Sequence, residues 1–162
     1  MALRKPLVIV SGQTQQLQSG DTLDAPQSGG DGAVLTNGES GAIVIGNIVY
    51  VSAAATVKKA KADAVGTKSG FGVVRDVSIG AGFTGFIQTS GILAATTGQW
   101  DAVFGTTGGL VAGQVYWLSP GTAGYGTAVA PTTIGQYVVP IGIGLSTTEL
   151  EITIVHGHDV LL

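Results

Sequence analysis

The chain has 162 residues, a net charge of −3, and charged side chains at only 10% of its positions. That length fits one compact domain with room for an arm. Globular domains carry about a quarter charged residues, so this count points to a surface covered by other chains, and it is too balanced to mark a nucleic-acid partner. Cysteine is absent, which excludes disulfides, thiolate catalysis and thiolate metal sites.

Hydrophobic residues make up 44% and the mean hydropathy is +0.43. The longest apolar stretches, such as 42–55, are broken by Gly46, Asn47 and Ser52. They fall short of the roughly 18–20 residues a helical span needs, so no membrane partner is expected. The apolar surplus is Val, Ile and Ala among Gly, Thr and Ser, a composition of strands and turns.

At the N-terminus Arg4 and Lys5 precede Leu7-Val8-Ile9-Val10. This apolar stretch is too short for the core of a secretion signal, so synthesis in the cytoplasm is expected, followed by assembly into something larger. Residues 1–32 read as an arm and linker. Leu7–Val10 is β-prone, Ser11-Gly12 is a turn, a Gln-rich run follows, and PQSGGDG over 26–32 is linker-like. So little apolar surface cannot fold alone, so the arm is expected to dock on a partner, with a disordered tail as the alternative. The arm residues expected to contact a partner are Pro6, Leu7, Val8, Ile9, Val10, Leu17 and Leu23.

Residues 33–162 read as an all-β domain. Ala42–Ile45 and Ile48–Val51 flank Gly46-Asn47, a pair suited to a two-residue hairpin turn. Over 53–65, AAATVKKAKADAV has helix-forming residues. Its alternation of Ala60, Ala62 and Ala64 with Lys59, Lys61 and Asp63 favours a strand with one charged face. Further strands are expected at 71–74, 84–89, 115–118, 137–143 and 150–155. With 27 glycines spaced among such runs, the expected architecture is a β-sandwich or small β-barrel. A faint internal duplication is also visible. Residues 49–52 resemble 115–119, Val73-Val74 resembles Val138-Val139, and 86–89 resembles 151–154, at offsets of 65 to 66 residues.

Chemistry-bearing constellations are few. Gly80-Ala81-Gly82-Phe83-Thr84-Gly85 matches G-x-G-x-x-G, but a strand and not a helix is expected after it, so it reads as a β-turn. His156-Gly157-His158-Asp159 holds both histidines of the chain. On a strand they share one face, yet nothing completes a metal site within one chain. It reads as an exposed polar tail, with a shared site on a threefold axis as the alternative. Asp76 and Asp101 are the mid-chain carboxylates and read as turn or strand-edge residues. No catalytic set is visible, and neither enzyme activity nor a cofactor is expected. Trp100 and Tyr125 are candidate glycan contacts, through aromatic faces in a region poor in charge. In 115–118 alternation sends Tyr116 and Leu118 one way and Val115 and Trp117 the other. All seven Lys and Arg lie at or before Arg75, and from Val77 onward only Asp101, Glu149, Glu151 and Asp159 are charged.

Two segments carry a resemblance. The first runs from Arg4-Lys5-Pro6-Leu7-Val8 through Gln15-Gln16-Leu17-Gln18-Ser19-Gly20-Asp21-Thr22-Leu23. It resembles the N-terminal segment of tail-fibre and virion structural proteins of tailed bacteriophages, with Lys5 as a small departure. The second comprises Gly108–Ser119, then Ala130-Pro131-Thr132-Thr133, then Pro140–Leu150. It is similar to a small β module of phage head-decoration, head-fibre and tail-fibre proteins. The resemblance implies a homotrimer located in the virion, contacting the major capsid protein or tail and collar proteins. Capsid decoration or cement is the function expected first. A short tail-fibre or head-fibre adhesin holding host-surface carbohydrate is the alternative. The end of the chain at Leu162, without a long shaft or tip, favours a short accessory protein.

Overall fold

The computed structural model describes residues 7–10, 13–16, 31–154 and 160–162. Strands β1 (Leu7–Val10) and β2 (Gln13–Gln16) pair antiparallel, Leu7 facing Gln16 and Val10 facing Gln13. The β-prone run expected at Leu7–Val10 is thus a strand, and over these residues the arm is a two-stranded ribbon. Among the described residues neither strand joins another sheet.

The body begins with β3 (Gly32–Asn37), β4 (Ile43–Val44), β5 (Ile48–Ala53), β6 (Thr56–Lys59), β7 (Gly72–Val74), β8 (Ser78–Ile79) and β9 (Thr84–Gln88). Five of these close a barrel in the order β3-β6-β5-β7-β9, while β4 and β8 pair apart from it. The barrel closes through the antiparallel pair of β3 with β9 and a short parallel pair of β3 with β6. Of the strand expected over 53–65, Thr56–Lys59 is present, with Tyr50 facing Lys58 across the β5–β6 pair, but the alternating residues 60–64 lie beyond it, with 62–64 in a turn.

The second half comprises β10 (Gly91–Ala94), helix α1 (Thr97–Phe104), β11 (Val115–Leu118), β12 (Gly126–Thr127), β13 (Tyr137–Val138), β14 (Pro140–Gly144), β15 (Glu149–Ile152) and β16 (Val160–Leu161). Its sheet runs β10-β15-β14-β11-β12, and β13 pairs with β16. The order repeats that of the barrel, written from β3 as β3-β9-β7-β5-β6. As β3 pairs with β9, β10 pairs with β15, and the remaining three strands of each sheet follow in the same sequence. The resemblances of 49–52 to 115–119 and of 86–89 to 151–154 fall on equivalent strands. Val138-Val139 falls just before β14, the equivalent of β7, so that match is displaced along the chain. The second unit differs in that β10 and β12 do not pair. Helix α1 stands where the barrel has β4, and its far end lies beside β12, where a Cβ on Gly126 would overlap the Phe104 ring.

Two apolar cores follow from this arrangement. One fills the barrel with Ile43, Val49, Val57, Val74, Ile79 and Ile87. The larger joins the units, with Ile48, Ala60, Ala62 and Val73 from the barrel meeting Leu93, Trp100, Phe104, Tyr116, Leu118, Ile141 and Leu150. Successive residues of a strand point to opposite faces. Ile48 and Val49 on β5, like Val73 and Val74 on β7, thus enter different cores. Strands buried on both faces read as unbroken apolar runs.

Two expectations fail locally. Gly46-Asn47 does not make a hairpin, since β4 pairs with β8 and β5 with β6 and β7. The turn is one residue earlier: the Asn47 N–H donates to the Val44 carbonyl, and Gly46 has φ of 85°. Glycine in that third turn position splays the flanking strands rather than pairing them. Second, 97–104 is an unanticipated helix. Thr96 caps it by accepting from the Gln99 N–H while the Gln99 side chain accepts from the Thr96 N–H, and Gly105 ends it at φ of 64°. The stretch 137–143 is divided between β13 and β14 at Val139, whose carbonyl accepts from the Leu118 N–H.

Candidate functional site

Trp100 is corrected as a glycan contact. It is the first inward residue of α1 and is 0% exposed. Its indole N–H donates to the Thr148 carbonyl at 3.0 Å, and its ring meets Phe104 edge-on with centroids 5.5 Å apart. Phe104 in turn meets Tyr116 at 4.9 Å. These rings form the centre of the inter-unit core and cannot reach a sugar. Tyr125 is half-buried in the turn before β12, where its carbonyl accepts from the Ser119 N–H. The two proposed aromatic contacts are therefore not brought together on one surface.

Alternation in β11 holds. Tyr116 and Leu118 are fully buried, while Val115 and Trp117 are half-buried on the opposite face. The Tyr116 hydroxyl also accepts from the Val111 N–H at 2.9 Å. The sheet's outer face, which sequence reasoning left unassembled, is read from its registers. Ile92 faces Glu151, Glu151 faces Ile143, and Ile143 faces Val115. Beside this row Trp117 faces Pro140 on one side and Thr127 on the other. Ala94 faces Glu149. The face is an apolar strip whose two charges are both carboxylates. The signal was present in the alternation of Glu149 and Glu151 with Leu150 and Ile152, but only strand order shows what lies beside each glutamate.

Asp101 is not a strand-edge residue. It sits on α1 and its carboxylate organises the following loop: Oδ1 accepts from the Thr106 hydroxyl at 2.7 Å and the Gly109 N–H at 2.8 Å, and Oδ2 from the Gly108 N–H at 3.0 Å. The Thr106 hydroxyl first, then the Gly109 and Gly108 amides, hold its pKa below the usual carboxylate value against a partial opposing effect of burial. Asp76 likewise accepts from a backbone amide, that of Phe86, at 2.9 Å. Both carboxylates are occupied as backbone anchors. The G-x-G-x-x-G segment is a turn from β8 to β9, closed by the Phe83 N–H on the Gly80 carbonyl at 3.1 Å.

Leu7, Val8, Ile9 and Val10 make up β1 of the ribbon. Pro6, Leu17, Leu23, His156 and His158 lie outside the described residues. Among the described residues no three His, Asp or Glu side chains gather where a metal ion could be held, and no helix is long and apolar enough to cross a membrane. The described cations are Lys58, Lys59, Lys61, Lys68 and Arg75. Lys61 pairs with Asp63, Lys68 lies 4.6 Å over the Tyr137 ring, and Arg75 lies 3.9 Å over Phe86. Compared with known protein families, curated proteins and solved structures, the chain matches none.

Proposed function

We propose that the chain is a trimeric structural accessory of a tailed-bacteriophage particle, acting in capsid decoration or cement. The observation that carries this reading is the β1–β2 ribbon. A two-stranded hairpin is marginally stable alone in water, and among the described residues this one has no third strand. Its free backbone edges suit addition to a neighbour's sheet, which supplies hydrogen bonds without a preformed core. The body offers described carboxylates engaged with backbone amides, as at Asp76 and Asp101, and buried polar side chains that tie segments together. Asn47, for instance, accepts from the Val44 N–H and donates to the Gly124 carbonyl. That is the chemistry of a static scaffold. The resemblance of residues 4–23 and 108–150 to virion proteins supplies the particle. The adhesin reading loses Trp100 to the core and has no comparable observation in its favour.

Deleting residues 1–25 tests the anchor. The truncated body is expected to keep its circular dichroism spectrum and oligomeric state while losing co-sedimentation with particles. Full particle binding by the truncated protein would sink the proposal.

A further inference from the structure

Asn37 is the last residue of β3, and Gly38 follows it. In an open chain this dipeptide is reactive. The backbone nitrogen after an asparagine can attack the side-chain carbon, and glycine brings no Cβ to obstruct the approach. Asparagine counts among the thermolabile residues for this kind of reason. The chain's other asparagine, Asn47, is followed by Ile48, whose branched Cβ crowds the same path.

The folded protein restrains each group the reaction needs. Asn37 is 1% exposed. Its amide nitrogen, the leaving group, donates to the Ile79 carbonyl at 2.8 Å and the Gly41 carbonyl at 2.9 Å. The nucleophile, the Gly38 nitrogen, donates to the Val57 carbonyl at 2.9 Å. The Asn37 N–H donates to the Phe83 carbonyl, and its own carbonyl accepts from the Gly82 N–H. One contact favours attack: Asn37 Oδ1 accepts from the Glu39 N–H at 2.9 Å, which polarises the side-chain carbon. That contact has no effect while the Gly38 nitrogen is held toward Val57. The Gly38 bond extends the parallel pair of β3 with β6, Thr36 facing Thr56 and Asn37 facing Val57, which closes the barrel.

We propose that Asn37-Gly38 is a self-modification site held unreactive by the closed barrel, so that opening of the β3–β6 seam commits the chain to irreversible deamidation. The Gly38 nitrogen loses its proton and bonds to the Asn37 side-chain carbon. The amide carbon–nitrogen bond breaks, and ammonia leaves carrying a proton. Water then opens the cyclic imide to aspartate or isoaspartate. The net change is hydrolysis of one amide, with nothing oxidised or reduced. Either product disables the seam. Aspartate has no N–H for the Ile79 and Gly41 carbonyls and sets a buried charge against them. Isoaspartate adds a main-chain atom between Thr36 and Gly38 and breaks the register with β6. The step needs no partner, so it stands apart from the functional proposal.

Peptide mass mapping of wild type incubated in mildly alkaline buffer, native and in guanidinium chloride, tests it. Asn37 should convert at least about 100-fold more slowly in the native protein, as expected of a site that reacts only through opening of core strands. Asn47 should stay intact in both. After dilution from denaturant, the fraction that fails to recover the native circular dichroism spectrum should match the fraction converted. A parallel incubation in denaturant at mildly acidic pH, where the Gly38 nitrogen keeps its proton, should leave refolding complete. Equal conversion in native and unfolded protein overturns the proposal, as does a converted chain that regains the wild-type melting midpoint. So does the same loss of refolding at acidic pH, which assigns the loss to aggregation. Asn37→Asp reports the product directly: a lowered midpoint or failure to fold supports the proposal, and an unchanged midpoint overturns it.

Discussion

Replacing Trp100 with Ala separates a buried tryptophan from a surface platform. Removing a fully buried Trp side chain costs about 3–5 kcal/mol in lost transfer energy and residual cavity. Trp100 belongs at the upper end. It is 0% exposed, a Cβ on Gly46 would lie only 3.2 Å from its ring, and Phe104 packs edge-on against it. The Thr148 carbonyl also loses its indole donor, worth about 1 kcal/mol more. The expected loss is therefore roughly 4–6 kcal/mol, a large part of the 5–15 kcal/mol that holds a typical domain folded. At about 2–4 °C per kcal/mol for a chain of this size, the midpoint should fall by roughly 10–20 °C. Urea unfolding followed by far-UV circular dichroism measures it. Trp117→Ala, on the half-buried face, should cost no more than about 1–2 kcal/mol in the separated chain. A Trp100→Ala loss below about 1.5 kcal/mol, or a larger loss at Trp117, would refute the assignment of Trp100 to the inter-unit core.

Three other outcomes follow from specific contacts. The Asp101 carboxyl has a depressed pKa in the folded protein. Its contribution is thus complete above the unfolded value near 3.8 and is lost as pH falls through the lower folded value; melting of wild type should drop in that acidic window, while Asp101→Asn, with no charge to lose, should show a flatter profile. Gly142→Ala drives a Cβ into the Glu151 carbonyl, whereas a Cβ on Gly98 meets nothing within 4 Å. The first should destabilise by at least about 1–3 kcal/mol and the second stabilise by roughly 0.5–1 kcal/mol, both measured by thermal melts. Removal of residues 1–25 should spare the body, as described above, with a change of less than about 1 kcal/mol in its unfolding free energy.

The strands were legible where burial imposed a simple period. Val115–Leu118 follows alternation, and the double-sided burial of Ile48-Val49 and Val73-Val74 makes the apolar pairs that marked β5 and β7. Helix α1 was illegible because Gly98 and the short length weaken propensity, yet its signals were local: Thr96 and Gln99 as a capping box, Trp100, Val103 and Phe104 at helical spacing, and Gly105 as the stop. Gly46-Asn47 misled because residue type specifies a turn but not its partner strands; those were set by Ile43 facing Ile79 far along the chain. The charged outer face depended on strand order, which no local pattern encodes. The His156–Asp159 segment lies outside the described residues.

The pairs Ile48-Val49 and Val73-Val74 form a wall common to both compartments of the molecule. Each strand presents one side chain to the barrel interior and the next to the inter-unit core. Neither half can therefore melt while the other keeps its packing intact. Amide exchange should be slowest at these four residues, and it should report a single opening event for the whole body, with the barrel and the sheet losing protection together.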